Sequence, residues 1–383
     1  MSTISTVRRL RRIFVGSNHN PAAKTPEPTI TSLHTTNSTT QGIVNFLKRS
    51  SIHPEFRRRI SNYETGIYRL VKAQHFSGIH EVIEHQKTYP DIRNEFFVCG
   101  LILLYGKAKM YDHARKLFDE MPKLNCSRSV FSFNALLESC IKSERYDEIG
   151  KLFRELPEKL SIVLNLMSYN LAMKALCKAG SVDSAVHLMD EIEKHGIKPN
   201  TVTCNTLLTA LYESGRLTEA ENLWNMMEKK TIDHDLRSYN IRLRGLLKAN
   251  EVSNGIQLFE EIVNKGFKPS KFTYNALIKT YVDEGNLEQA NMWYEKMEQN
   301  DCLPDAVTYR MLIPLACETK EFDFALHLCM KAIDAEVLIY RNIMQRVVDG
   351  LVEQSKIENA KELVKLVMSS KRFLYELSLP LHN

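Results

Sequence analysis

Glycine and proline are sparse in this chain, 15 and 12 among 383 residues, and no stretch alternates apolar and polar residues for the length of a strand. These absences argue against β and α/β folds and point to an all-α chain. No apolar run reaches the roughly 18 residues that a membrane-spanning helix needs, so no membrane is expected as a partner. The eight cysteines include no C-x-x-C pair, which indicates neither a disulfide framework nor a zinc site. Several, Cys204 among them, stand on apolar helical phases where a thiol packs as a small hydrophobe. Catalytic signatures are missing too: there is no Walker loop, no G-x-G-x-x-G, no H-E-x-x-H, and no H-x-E followed by C-x-x-C. His75, His80 and His85 are spaced by five, whereas helical metal ligands share a face only at three or four. They are expected to be scattered surface residues. No cofactor, no metal and no enzymatic activity are expected.

Positive charge is also scarce where a nucleic-acid binder would carry it. The net charge of +5 is concentrated in residues 1–59, which hold ten Lys or Arg against Glu27 and Glu55, while the remainder has 41 basic and 44 acidic side chains. Any nucleic-acid affinity must therefore come from local patches and specific contacts. Residues 1–40 are rich in Ser and Thr, with Ile4, Val7, Leu10, Ile13 and Phe14 on one side of a helix and arginines mostly opposite. This pattern fits an organelle transit peptide followed by a disordered linker, mitochondrial rather than chloroplast because arginine is frequent. The alternative is a disordered basic tail. Residues 41–59 form a basic lead-in.

What the chain does contain is a period. In residues 201–235, Cys204, Leu207, Leu208 and Leu211 make one helical face, and Leu217, Ala220, Leu223, Trp224 and Met227 make a second. Between them Glu213-Ser214-Gly215 supplies a turn in which glycine can adopt the left-handed conformation. The same frame recurs 35 residues on at 236–270 and 271–305, and upstream at 166–200. Weaker copies occupy 60–94, 95–129, 130–165 (one residue longer), 306–340 and 341–375, giving nine repeats, with 376–383 as a tail. Ala114, Ala185, Ala220, Ala290, Ala325 and Ala360, with Gly255, hold one phase of the second helix, where a small residue permits close approach. Gly180, Gly215 and Gly285, with Asn250, hold the turn phase, and Pro199, Pro269 and Pro304 precede new hairpins. Tyr169, Tyr239, Tyr274 and Tyr309 share a first-helix phase that reads as core. One hairpin cannot bury its own faces, so the repeats are expected to stack into one continuous core.

A 35-residue hairpin of the form V-T-Y-N-x-L-I, then G-x-x-x-x-A, then K-P-N/D resembles the P-type pentatricopeptide repeat. The tetratricopeptide repeat has a different period and a W-L-G-Y signature that is missing here. The resemblance implies a right-handed α-solenoid superhelix of about nine hairpins whose concave, first-helix side binds single-stranded RNA, one base per repeat. It places base readers at the fifth and last residues. Here these are Asn134 with Asn165, Asn170 with Asn200, Asn205 with Asp235, Asn240 with Ser270, and Asn275 with Asp305. By the family's base code they would read Y-Y-U-C-U, 5′ to 3′. Phe131, Met167, Val202 and Phe272 at the second position would stack between bases, with Arg237 substituting a guanidinium. The outer repeats depart from the code: Glu64, Cys99, Arg310 and Gln345 stand fifth, and Tyr340 and Tyr375 stand last. The alternative for the asparagines is helix-start hydrogen bonding. With eight residues after the last repeat, no appended deaminase or nuclease is expected.

The stretches at 63–70, 84–87 and 104–114 (YETGIYRL, EHQK and LYGKAKMYDHA) are similar to a subgroup of plant mitochondrial repeat proteins associated with the small ribosomal subunit. This implies a mitochondrial ribosomal component contacting ribosomal RNA and mitoribosomal proteins, with no role for DNA. The alternatives are a free factor that stabilises or helps process a mitochondrial or plastid transcript, and a protein-binding helical scaffold.

Overall fold

Helix caps set the frame of the fold. In the computed structural model, which describes residues 39–370, 372–373 and 375–379, each hairpin of the regular repeats starts just after an Asn, Asp or Ser whose side chain engages the new helix. The expected leader at 1–40 lies outside the described residues except for Thr39 and Thr40. No strand occurs among the described residues, and no helix is long and apolar enough to cross a membrane. The chain forms two compact units, 1–199 and 200–383.

In the first unit, α1 (Thr40–Ser50) and the short α2 (Pro54–Arg57) precede four hairpins. These are α3 (Ser61–Lys72) with α4 (Phe76–His85), α5 (Glu95–Lys107) with α6 (Tyr111–Glu120), α7 (Val130–Lys142) with α8 (Tyr146–Leu160), and α9 (Leu166–Lys178) with α10 (Val182–Lys194). In the second unit, α11 (Thr201–Glu213), α13 (Leu236–Lys248), α15 (Lys271–Asp283), α17 (Ala306–Glu318) and α19 (Arg341–Glu353) are first helices. Their partners are α12 (Leu217–Lys229), α14 (Val252–Asn264), α16 (Leu287–Gln299), α18 (Phe322–Asp334) and α20 (Ile357–Ser369). Within each unit a first helix packs on its own second helix and on the next first helix, as α15 does on α16 and α17. First helices thus form one layer and second helices back it.

The residues at the expected small phase, Ala114, Ala185, Ala220, Ala290, Ala325 and Ala360, are all 0% exposed, as close helix approach requires. In the one-residue-longer repeat Ile149 fills this phase and is also buried. Tyr169, Tyr239, Tyr274 and Tyr309 are core residues. Gly180, Gly215 and Gly285 turn the chain with φ of 75°, 77° and 70°, and Asn250 does so at 63°. The same turn is made without glycine at Glu144, Lys320 and Ser355. Burial pushes the Cys126 and Cys317 thiols up to about 11 and Cys140 up to about 12, which keeps them protonated and unreactive.

The histidines require a correction. His75, His80 and His85 are all half-buried rather than on the surface. His80 Nδ1 lies 2.8 Å from the Tyr105 hydroxyl and its ring packs 4.7 Å from that of His113.

The lead-in is locked to the first repeat. Gln86 is fully buried; it accepts from the Tyr63 hydroxyl at 3.0 Å and donates to Ser51 Oγ at 3.1 Å. Arg57, almost fully buried, donates to the Ser51 carbonyl at 2.7 Å and to Asp91 from Nε at 2.9 Å, and its guanidinium lies 4.2 Å from the Tyr89 ring centre.

Candidate nucleic-acid interface

The last residue of each regular repeat is the N-cap of the next first helix. Asn165, Asn200, Asp235, Ser270 and Asp305 each form a capping box with the Ser or Thr three residues on: Ser168, Thr203, Ser238, Thr273 and Thr308. Each cap satisfies amides that the first helical turn leaves without partners. At Asp305, burial alone would raise the carboxyl, but amide donation from Thr308, Asn275 and Val307 together with Lys271 holds it below the usual carboxylate range.

At three of the regular repeats the fifth residue of the first helix reaches the cap. Asn134 Nδ2 donates to Asn165 at 3.3 Å, Asn205 Nδ2 to Asp235 at 3.2 Å, and Asn275 Nδ2 to Asp305 at 3.2 Å. The amide oxygen is held from the other side by the box hydroxyl. Ser168 donates to Asn134 at 2.7 Å, Thr273 to Asn240 at 2.7 Å, and Thr308 to Asn275 at 2.8 Å. So pinned, the amide keeps one N–H for an outside acceptor. These asparagines are not themselves caps; they lie one helical turn inside.

Asn205 differs. It is 2% exposed, and its Oδ1 has no hydrogen-bond partner because Ser238 Oγ turns to Asp235 instead, at 2.9 Å. Asn170 is half-buried on α9, and Asn200 at the start of α11 is exposed.

At the second position Phe131, Met167, Arg237 and Phe272 are exposed and Val202 is half-buried. Phe96 and Val307 are exposed at the same position, and the Phe96 and Phe131 rings lie 5.2 Å apart. Extending the register by one repeat each way finds both.

The outer positions of the first two repeats are occupied from within. Glu64 pairs with Lys107 at 2.6 Å. Burial pushes the Cys99 thiol strongly up. In the same repeat Glu95 spans to the cap, accepting from the Ser129 amide at 2.7 Å, Ser129 Oγ at 2.8 Å and the Ser132 amide at 3.2 Å. Sequence reasoning missed this closure, since nothing in the register marks Glu95.

Within each unit, helical hairpins stacked through their first helices, with caps at regular intervals and side-chain amides bonded to them at Asn134, Asn205 and Asn275, define an α-helical repeat protein. Models of the PPR repeat family match residues 164–211, 199–248, 234–280 and 272–318, and the PPR repeat matches 99–126 and 131–159. The chain belongs to the PPR repeat family. It is 42% identical over 191 residues to the small ribosomal subunit protein mS79 (rPPR3b) of Arabidopsis thaliana, covering 49% of this chain and 48% of that protein. It is 42% identical over 176 residues to mS78 (rPPR3a) of the same plant, covering 46% and 44%. These matches span about half the length of the curated relatives. The fold is that of the maize pentatricopeptide repeat protein PPR10, with a TM-score of 0.53 at 21% identity over 89% of this chain and 48% of that one.

Proposed function

We propose that this chain is a non-catalytic RNA-binding component of the mitochondrial small ribosomal subunit, holding single-stranded ribosomal RNA along its first helices and touching mitoribosomal proteins. The likeness to mS79 and mS78 carries the ribosomal part. The RNA part is supported by the asparagine–cap pairs, which recur in register and leave a donor over at Asn134 and Asn275. Asn134, Asn170, Asn205, Asn240 and Asn275, with their caps, would meet a pyrimidine track, and exposed second-position side chains would stack on its bases.

Two measurements test this. In a density gradient of mitochondrial extract, the protein should co-migrate with small-subunit ribosomal RNA and shift when magnesium chelation separates the subunits. Migration in light, RNase-sensitive complexes would instead identify a free transcript factor. In vitro, Asn205→Ala with Asn275→Ala should weaken binding to pyrimidine-rich RNA by roughly tenfold with helicity unchanged. Unchanged affinity would remove the base-reading assignment.

A further inference from the structure

The edge continues one repeat beyond the asparagines and changes chemistry there. Arg310 is the fifth residue of α17 and Tyr340 caps α19, so they stand in the register of Asn275 and Asp305, with the same separation of 30 residues. They touch as those pairs do: Arg310 Nη1 donates to the Tyr340 hydroxyl at 2.8 Å. The guanidinium lies 5.1 Å from the tyrosine ring centre, and Nε is tied to the Ala306 carbonyl at 2.7 Å. Donors remain on both Nη1 and Nη2, side by side. Among the described residues no carboxylate forms an ion pair with Arg310, in contrast to Arg242, which pairs with Glu221 at 2.6 Å. Tyr340 is 60% exposed, and Val307 is exposed on the same edge.

The following position is filled by the chain itself. Gln345, fifth in α19, donates from Nε2 to the Ser378 carbonyl at 2.7 Å and accepts from the Ser378 amide at 2.9 Å, a two-point pairing of the kind a base edge would make. Tyr375 donates to the Ile339 carbonyl at 2.7 Å and Arg341 to the Glu376 carbonyl at 2.8 Å, and Leu377 is buried.

We infer that repeat eight is a guanine-selective position, the last on the edge, with Arg310 donating to the O6 and N7 acceptors and Tyr340 supporting the arginine's plane. This rests on the RNA-binding reading above and extends its track to Y-Y-U-C-U-G. A fork of two parallel donors matches the O6/N7 edge of guanine. An RNA phosphate offers parallel acceptors too, but an exposed ring beside the fork favours a flat ligand over a tetrahedral one.

The test uses the full chain and RNA oligonucleotides carrying the five-pyrimidine core followed by G, A, C, U or an abasic site, with binding followed by fluorescence anisotropy. The G oligonucleotide should bind about tenfold more tightly than the A oligonucleotide. Arg310→Ala should erase that preference. Arg310→Lys, which keeps the charge without the fork, should erase the preference and retain most of the affinity. Equal affinity for all five oligonucleotides in the wild type overturns the inference while the proposed function stands. A loss on Arg310→Ala that is uniform across all five, abasic included, overturns it in favour of a phosphate contact. If no oligonucleotide binds, the RNA-binding reading falls and the inference with it.

Discussion

At Asp305 one carboxylate oxygen receives the Val307 and Thr308 amides at 2.9 and 3.2 Å and also the Asn275 side chain at 3.2 Å. The oxygen that starts a helix is thereby also the one that orients the Asn275 amide. Asn205 is tied to Asp235 in the same way, but its Oδ1 is unmatched, whereas the amides of Asn134 and Asn275 are clamped from both sides. At the same scale, the alanine phase reports the distance between helices. Ala220 is fully buried between α11 and α12, so Ala220→Leu should overpack that crossing by about 1–3 kcal/mol. Urea unfolding followed by circular dichroism checks this, and an unchanged midpoint would mean that the crossing has room to spare.

Among elements, the hairpins were legible in the sequence because their burial repeats every 35 residues. Leu207, Leu208, Ala220 and Trp224 show it without any structure. The caps were legible as residue types, though not their joint use with the fifth residue. What the sequence hid are contacts made by long side chains across a whole repeat: Glu95 on Ser129, 34 residues on, and Gln345 on Ser378, 33 residues on. Rotamers decide these, and no periodicity records them. The lead-in is another such case, since Arg57 looked like part of a basic segment and is in fact buried on Asp91. Arg57→Ala removes a charged hydrogen bond and opens the Ser51 carbonyl, at a cost of about 2–3 kcal/mol. Hydrogen exchange should show α1 losing protection while α15 keeps it, and retained protection in α1 would place its anchoring in Val44 and Leu47 alone.

For the molecule as a whole, charge limits how RNA can be held. Beyond residue 59 acids outnumber bases, and several first-helix lysines are already matched, Lys142 and Lys174 to Glu138 and Lys279 to Asp283. Few counterions would leave on binding. The slope of log K against log salt is therefore expected to be shallow, no steeper than about −2 for single-stranded RNA. Anisotropy titrations across sodium chloride concentrations measure it, and a slope near −5 would point to phosphate neutralisation rather than base contacts as the source of affinity.

The double duty of the cap also constrains how this edge can change through descent. A side chain that begins a helix well is Asn, Asp, Ser or Thr, and alanine there costs about 1 kcal/mol. An Asn codon lies one substitution from an Asp codon and one from the AGY codons of Ser, so a lineage can exchange Asp235 for an Asn, or an AGY-encoded Ser270 for an Asn, and alter the chemistry of the edge without passing through a weakened ancestor. Tyr340, whose side chain makes no hydrogen bond to the helix it precedes, has already left that alphabet.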